Sequence, residues 1–188
     1  KPMVTVGKIP IIVHIMNRYA MYGYKEFIIA TGYKSEVINN YFTKNAESII
    51  SKNKDVIKLK YNPNKKSENQ LILTIIYTGE KTMTGGRVKR AEEYINENEF
   101  MMTYGDGISD VNINLLVEHH KKNKKLATLC AVRPPVRFGE LELQGDLITN
   151  FAEKPRLQKG WINGGFFVLN KEIFKFIKDD DIMFEREP

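Results

Sequence analysis

Apolar and polar residues recur along this chain with two different periods, and the periods predict its secondary structure. After Pro10, apolar residues are spaced as on one face of a helix as far as Tyr19, and Gly23 then predicts the end of that helix. Short apolar runs bounded by turn residues predict strands. The predicted strands are 27–31, 71–78, 100–104, 126–132 and 165–169, and the further predicted helices are 35–42, 85–95, 113–122 and 172–177.

Strands that alternate with helices are typical of a mostly parallel sheet with helices on both faces. Residues 141–151, with Gln144-Gly145-Asp146 at their centre, predict a hairpin that should make the sheet mixed. We therefore predict an α/β fold, a three-layer α/β/α arrangement around a Rossmann-like mixed sheet, which binds ligands at the carboxyl ends of its strands. Residues 43–70 are polar and weakly patterned, and we expect them to form an excursion from this domain.

Composition narrows the range of partners. With 188 residues, of which 42% are hydrophobic, one domain is expected. A net charge of +6 suits nucleic acid, a membrane surface or phosphorylated small ligands. The lysines lack the interleaved aromatics of a nucleic-acid surface, and no apolar stretch approaches the ~20 residues of a membrane span, so we expect neither partner. The single cysteine, Cys130, lies in an apolar run, and no signal peptide is evident, which favours a cytoplasmic location.

Asp106 is the most informative candidate for chemistry. It follows the predicted strand 100–104 within Tyr104-Gly105-Asp106-Gly107, where a buried strand should stop and a sharp turn begin. A carboxylate at that place in an α/β fold suits a metal ion bound to phosphate. The alternative is ordinary Asp-Gly turn chemistry.

Three further polar segments stand beside predicted strands or helices. Thr82-Met83-Thr84-Gly85-Gly86-Arg87 precedes a helix, and its glycines and guanidinium suit a base edge or a phosphate, although a simple capped helix is the alternative. Glu153-Lys154-Pro155 pairs an acceptor with a cation, or forms a surface ion pair. Trp161-Ile162-Asn163-Gly164-Gly165 offers an amide to a sugar hydroxyl, or makes only a turn.

In this order, the segments resemble those of the sugar-phosphate nucleotidyltransferases, with the strings Thr82 to Arg87 and Trp161 to Gly165 pointing to the cytidylyl branch. The matches also include Lys1-Pro2-Met3-Val4, His14-Ile15-Met16, Gly32-Tyr33-Lys34, Met102 to Gly107, Arg137-Phe138-Gly139 and Glu187-Pro188. The resemblance covers nearly the whole chain except residues 43–70. It implies transfer of a cytidylyl group from CTP to glucose 1-phosphate, giving CDP-glucose and pyrophosphate for surface polysaccharide, by a homo-oligomer.

The resemblance also implies roles for individual residues. Lys1 and Asp106 would be catalytic, with Asp106 holding Mg²⁺ and Lys1 neutralising phosphate charge. The nucleotide would be bound by Gly85, Gly86, Arg87 and Gly105. The sugar phosphate would be bound by Gly139, Glu153, Lys154, Asn163 and Gly164.

Family members carry a first strand with a Gly-rich phosphate loop before the Lys-Pro motif, and a second metal-binding aspartate in a later segment. Against that pattern, residues 1–188 are expected to be a fragment of a single catalytic domain, without the first strand and the C-terminal part, and its own activity is open. Two alternatives are a nucleotidyltransferase that uses UTP, dTTP or GTP, and a non-catalytic domain that binds a sugar nucleotide.

Overall fold

A computed structural model describes residues 1–63, 70–134, 140–152 and 160–186 of the chain. The strands are β1 (Thr5–Val6), β2 (Ile9–Pro10), β3 (Glu26–Thr31), β4 (Ala46–Lys52), β5 (Val56–Tyr61), β6 (Leu71–Tyr77), β7 (Glu99–Thr103), β8 (Ala127–Val132), β9 (Glu140–Gln144), β10 (Leu147–Ala152) and β11 (Ile162–Asn170). The α-helices are α1 (Ile11–Ala20), α2 (Ser35–Asn45), α3 (Thr84–Arg90) and α4 (Ile113–Asn123). Short 3₁₀ helices cover Glu92–Tyr94 and Lys171–Phe176.

The predicted α/β class is confirmed, but the sheets are mostly antiparallel within the described ranges. One sheet has the order β3-β6-β5-β4, in which only β3 and β6 run parallel. The second large sheet has the order β7-β11-β8 and is antiparallel throughout. The predicted hairpin forms as β9 and β10, yet these strands pair with each other in a sheet of their own. The expectation that the hairpin makes the main sheet mixed was therefore wrong, since β4 and β5 do so.

The expectation that residues 43–70 leave the domain was also wrong for the part that the structure describes. β4 and β5 extend the sheet from β6, and β5 pairs with β6 along its whole length. Ile57, Leu59 and Tyr61 are buried, whereas Lys58 between them is exposed. This is the strict alternation of a half-buried strand. The lysines and asparagines of residues 43–70 make the segment polar on average, which obscures that period.

Two predicted helices lie close to their predicted positions, but part or all of each is a 3₁₀ helix rather than an α-helix. The helix predicted over 85–95 is α-helical only to Arg90, and a 3₁₀ turn follows it. The helix predicted over 172–177 is a 3₁₀ helix, whose start is capped by Asn170 accepting from the amide of Glu172 at 2.9 Å. Its buried Ile173 and Phe174 pack into the core.

Helix α1 packs against both sheets. Its residues Ile12, Val13 and Met16 join the core formed with β5 and β6. Ile15 and Tyr19, on the adjoining side, join a second cluster with Phe166 of β11. The Tyr19 ring lies edge-on to Phe27 at 6.3 Å between centroids and stacks on Phe166 at 6.1 Å. One amphipathic helix therefore connects the two sheets.

Replacing a buried residue of β5 tests whether this strand belongs to the core. We expect Leu59→Ala to lower the free energy of unfolding by about 2–5 kcal/mol, because Leu59 is fully buried and its loss leaves a cavity. The neighbouring exposed Lys58→Ala is the matched control and should change stability by less than ~0.5 kcal/mol. Urea unfolding measures both, and equal effects would contradict the strand.

Candidate active site

The chain neighbours of Lys1 and Asp106, the two predicted catalytic residues, are in contact with each other. β7 ends at Thr103, and the chain turns at Gly105 and Asp106. Pro2 packs so closely on Gly105 that a side-chain Cβ there would lie 3.1 Å from the Pro2 Cγ. The amide of Ile12 also donates to the Pro2 carbonyl oxygen at 3.1 Å, which ties this segment to helix α1. Both charged side chains are exposed at the carboxyl end of β7.

The segment after Asp106 is held by Arg18, a residue that the sequence did not single out. Its Nη2 donates to the carbonyl oxygens of Asp110 and Val111 at 2.6 and 2.8 Å. Its guanidinium also lies over the Tyr22 ring, 5.1 Å from the centroid. The one sequence signal for this role is the presence of an arginine among the apolar residues of helix α1. The turn that carries Asp106 is therefore anchored to helix α1 on both sides, through Pro2 and through Arg18.

Gly85 and Gly86 accommodate the chain's own backbone in this structure. The amide of Met83 donates to the Asp180 carbonyl oxygen at 2.8 Å, and the amide of Gly85 donates to that of Ile182 at 2.9 Å. A Cβ on Gly85 would lie 2.7 Å from the Ile182 oxygen, and one on Gly86 would lie 2.6 Å from the Asp180 Cα. The close approach that predicted a nucleotide contact is thus made by residues 180–182.

The guanidinium of Arg87 connects the carboxyl ends of the parallel strands β3 and β6. Its Nη1 donates to the Thr31 carbonyl oxygen at 2.9 Å and to the Thr78 hydroxyl at 2.7 Å. Its Nη2 donates to the Glu80 carbonyl oxygen at 3.3 Å. The structure therefore gives Arg87 a role in holding two strand ends together. Its contact with a base stays a prediction.

Asn163 lies at the start of β11 with its amide fixed in direction. Its Nδ2 donates to the Tyr104 hydroxyl oxygen at 3.0 Å, and its Oδ1 accepts from the amide of Gly165 at 2.7 Å. Gly164, next in the chain, would place a Cβ 2.8 Å from the Cys130 carbonyl oxygen. The absence of a side chain at Gly164 therefore lets β11 approach β8 closely.

Tyr104 and Glu185 complete a network that the sequence did not predict. The Tyr104 hydroxyl donates to Glu185 Oε1 at 2.7 Å, and the Thr84 hydroxyl donates to Glu185 Oε2, also at 2.7 Å. Burial, followed by the hydrogen bond to Glu185, raises the pKa of Tyr104 to about 12. Burial acts to raise the pKa of Glu185, but the hydrogen bonds from Tyr104 and Thr84 outweigh it and the pKa is lowered. At neutral pH this is a neutral phenol beside a carboxylate.

The predicted sugar-phosphate residues Gly139, Glu153 and Lys154 lie outside the described residues. Within the ranges that are described, no three acidic, histidine or cysteine side chains form a cluster able to hold a metal ion. Asp106 is exposed and belongs to no such cluster among the described residues. The same ranges contain no helix that is long and apolar enough to cross a membrane.

Residues 1–187 match the family model described as Nucleotidyl transferase, and the chain belongs to that family. It is 41% identical over 189 residues to the glucose-1-phosphate cytidylyltransferase of Salmonella typhi, with 100% of this chain and 74% of that protein covered. It is 36% identical over 194 residues to the probable glucose-1-phosphate cytidylyltransferase of Bacillus subtilis, with the same coverage. The predicted family resemblance is confirmed.

A solved structure shows a similar fold. The HddC protein from Yersinia pseudotuberculosis aligns with a TM-score of 0.68 at 23% identity, covering 98% of this chain and 73% of that one. At this identity the likeness concerns the fold alone.

A side chain on Gly86 should push residues 180–182 away from helix α3. We expect Gly86→Ala to lower the free energy of unfolding by about 1–3 kcal/mol, since a Cβ there meets backbone rather than a flexible side chain. Gly107→Ala is the matched control, because nothing lies within 4 Å of its Cβ position. Chemical denaturation of the two variants measures the difference. A Gly86→Ala protein as stable as the control would contradict the contact.

The lowered pKa of Glu185 predicts how its contribution depends on pH. A carboxyl whose pKa is lower in the folded state stabilises the protein above its unfolded pKa of about 4.3, and this contribution is lost as the pH falls through the folded pKa. Glu185→Gln should therefore be less stable than the unchanged protein at neutral pH, with a difference that shrinks on acidification. Thermal unfolding across a pH series measures it. Glu118→Gln, at an exposed position of α4, is the control for the loss of one negative charge.

Proposed function

We propose that this protein transfers the cytidylyl group of CTP to glucose 1-phosphate, giving CDP-glucose and pyrophosphate. The observation that supports the chemistry is the packing of Pro2 on Gly105, which are the chain neighbours of Lys1 and Asp106. A cation and a metal-binding carboxylate are what the transfer of a charged phosphoryl group requires. The choice of CTP and glucose 1-phosphate rests on the relatives that are 36–41% identical over the whole chain.

The reaction would proceed by in-line displacement at the α-phosphorus of CTP. A phosphate oxygen of glucose 1-phosphate forms the new P–O bond, the bond to the β-phosphate bridging oxygen breaks, and pyrophosphate leaves with that electron pair. The second pKa of a phosphate monoester is about 6, so the nucleophile is largely ionised at neutral pH without a general base. The protein would contribute position and charge neutralisation.

Members of this family generally use a divalent metal, and we propose Mg²⁺ held by Asp106. A single carboxylate fits this ion, because Mg²⁺ commonly keeps several waters and takes its other ligands from substrate phosphates. When bound, it would neutralise charge on the reacting phosphates. Lys1, whose side chain is exposed beside the same turn, would add a second positive charge toward the triphosphate.

On the nucleotide side, Arg87 and Gly105 would recognise CTP, and Gly85 and Gly86 would contribute by holding helix α3 against residues 180–182. The Nη2 of Arg87 carries two N–H groups, and the Glu80 carbonyl oxygen takes one of them at a long 3.3 Å. The other N–H can donate to a base edge. Cytosine offers acceptors at O2 and N3, whereas uracil has a donor at N3 that would face the guanidinium unfavourably.

On the sugar side, Asn163 and Gly164 together with Gly139, Glu153 and Lys154 would bind glucose 1-phosphate. The exposed Asn163 amide supports this assignment, since it keeps both a donor and an acceptor for a hydroxyl. We further propose that the enzyme is a cytoplasmic homo-oligomer that supplies surface polysaccharide synthesis. A charged triphosphate does not cross a bilayer unaided, so the reaction must take place where CTP is present.

A substrate panel tests the proposed reaction. We expect pyrophosphate release with glucose 1-phosphate, Mg²⁺ and CTP, and little with UTP, dTTP or GTP, when the chain is assayed within its full natural polypeptide. Asp106→Asn should lower kcat/KM by about a hundredfold or more, because the carboxylate charge that holds the metal is lost. Asp146→Asn, in the exposed turn between β9 and β10, is the matched control and should retain activity.

Each contrary result has a separate meaning. Pyrophosphate release with another nucleotide would show that this nucleotide, rather than CTP, is the substrate. Binding of CDP-glucose without any release would instead favour a sugar-nucleotide-binding domain. Full activity of Asp106→Asn would contradict the proposal that Asp106 holds the metal ion.

A further inference from the structure

The ring of Tyr104 is held rigidly between the strand that leads to Asp106 and the start of β11. It lies edge-on to Phe167, with 6.0 Å between the ring centroids. It also lies against Gly165, where a Cβ would approach the Tyr104 Cδ2 to 2.9 Å. Thr103, one residue earlier, donates its hydroxyl to the Gly165 carbonyl oxygen at 2.8 Å. The position of the Tyr104 hydroxyl is therefore set by packing rather than by its hydrogen bonds alone.

Glu185 determines which way the hydroxyl hydrogen of Tyr104 points. An ionised carboxylate can only accept, so the single hydrogen of the phenol must be donated to Glu185 Oε1. The phenol oxygen then has only lone pairs to offer to Asn163. It accepts from Nδ2 at 3.0 Å, on the opposite side of the network from the carboxylate.

This direction of donation also fixes the amide of Asn163 against rotation by a half-turn. In the observed orientation, Oδ1 accepts from the amide of Gly165 at 2.7 Å. A flipped amide would place its NH₂ group against the Gly165 N–H, which is also a donor, and would turn its oxygen toward lone pairs of Tyr104. Both contacts would be lost, so only one orientation satisfies the network.

We infer that Tyr104 is a positioning residue for sugar recognition, because it holds the Asn163 amide in one orientation. Glu185 sets the direction in which the Tyr104 hydroxyl donates. In that orientation one N–H of Nδ2 and one lone pair of Oδ1 remain for a ligand. A sugar hydroxyl both donates and accepts, and so matches this pair. The inference rests on the proposed function and adds Tyr104, a residue that touches no substrate.

Glu185 extends the effect to the nucleotide side. Its second oxygen accepts from the Thr84 hydroxyl, and the Thr84 oxygen in turn accepts from the amide of Phe184 at 2.9 Å. Thr84 begins helix α3, which carries Gly85, Gly86 and Arg87. The Glu185 carboxylate therefore links Tyr104, which orients the Asn163 amide, to helix α3, which is proposed to bind CTP.

Steady-state kinetics with each monodeoxy analogue of glucose 1-phosphate test the inference in the full natural polypeptide. The unchanged enzyme should prefer glucose 1-phosphate over one of these analogues by about tenfold, a value typical of one hydrogen-bonded hydroxyl. Tyr104→Phe keeps the ring and removes only the hydroxyl. It should reduce that preference to about twofold or less, mainly through a higher KM for glucose 1-phosphate, with KM for CTP little changed.

A double-mutant cycle separates positioning from general damage. Asn163→Ala should abolish the same preference, and adding Tyr104→Phe to Asn163→Ala should produce no further loss, because Tyr104 acts through Asn163. Tyr94→Phe is the matched control, since Tyr94 is also partly buried and packs against the same core cluster, but its hydroxyl contacts Glu93 rather than Asn163 or Glu185. It should retain both the preference and the KM values.

A second measurement does not depend on turnover. In nuclear magnetic resonance spectra, the side-chain amide signals of Asn163, assigned from their loss in Asn163→Ala, should shift in Tyr104→Phe and Glu185→Gln but not in Tyr94→Phe. Unchanged Asn163 signals in Tyr104→Phe would overturn the inference. So would an unchanged sugar preference or additive effects in the cycle.

The two proposals fail in different ways. If the unchanged protein makes no CDP-glucose, the proposed function fails, and the amide signals still decide whether Tyr104 orients Asn163. If the unchanged protein makes CDP-glucose but Tyr104→Phe behaves like Tyr94→Phe in both measurements, the proposed function stands and the positioning role is wrong.

Discussion

The packing of helix α1 between the two sheets is the constraint on which the rest of the structure depends. β3 and β6 carry the strand ends that Arg87 joins, whereas β7 and β11 carry Asp106, Tyr104 and Asn163. Each of these two sheets contributes part of the candidate site. The geometry of the site therefore depends on how the two sheets are held relative to each other. Tyr19, which is 4% exposed, contacts Phe27 of one sheet and Phe166 of the other. A buried aromatic of this size contributes both apolar area and ring contacts.

The same helix also anchors the chemistry. Ile12 at its first turn holds Pro2, and Arg18 near its end holds the carbonyl oxygens at 110 and 111. The Asp106 turn lies between these two anchors. A displacement of helix α1 would therefore disturb the core and the carboxylate together, which explains how an exposed turn can carry a residue whose position matters.

Features with a local period were predictable from the sequence, whereas those set by distant contacts were not. Helix α1 was predicted because its apolar residues follow helical spacing after Pro10. β5 was missed although its period is clear, since the segment 43–70 around it is rich in lysine and asparagine. The turn at Asp106 was predicted from Gly-Asp-Gly, whereas Asn163 and Gly164, expected to precede the strand, lie within β11. Nothing local marks Tyr104 and Glu185 as partners, because 81 positions separate them.

Glycines illustrate a second limit of sequence reasoning. A paired glycine indicates that something approaches the backbone closely, but it does not say what. At Gly85 and Gly86 the approaching group is the backbone of residues 180–182, and at Gly164 it is β8. These contacts build the frame of the site, and they leave the charged and amide side chains of Lys1, Asp106 and Asn163 exposed at its surface. In such an arrangement, selectivity depends on the groups that limit the orientation of those side chains, and the hydrogen bonds behind Asn163 limit it most directly because each has only one allowed donor direction.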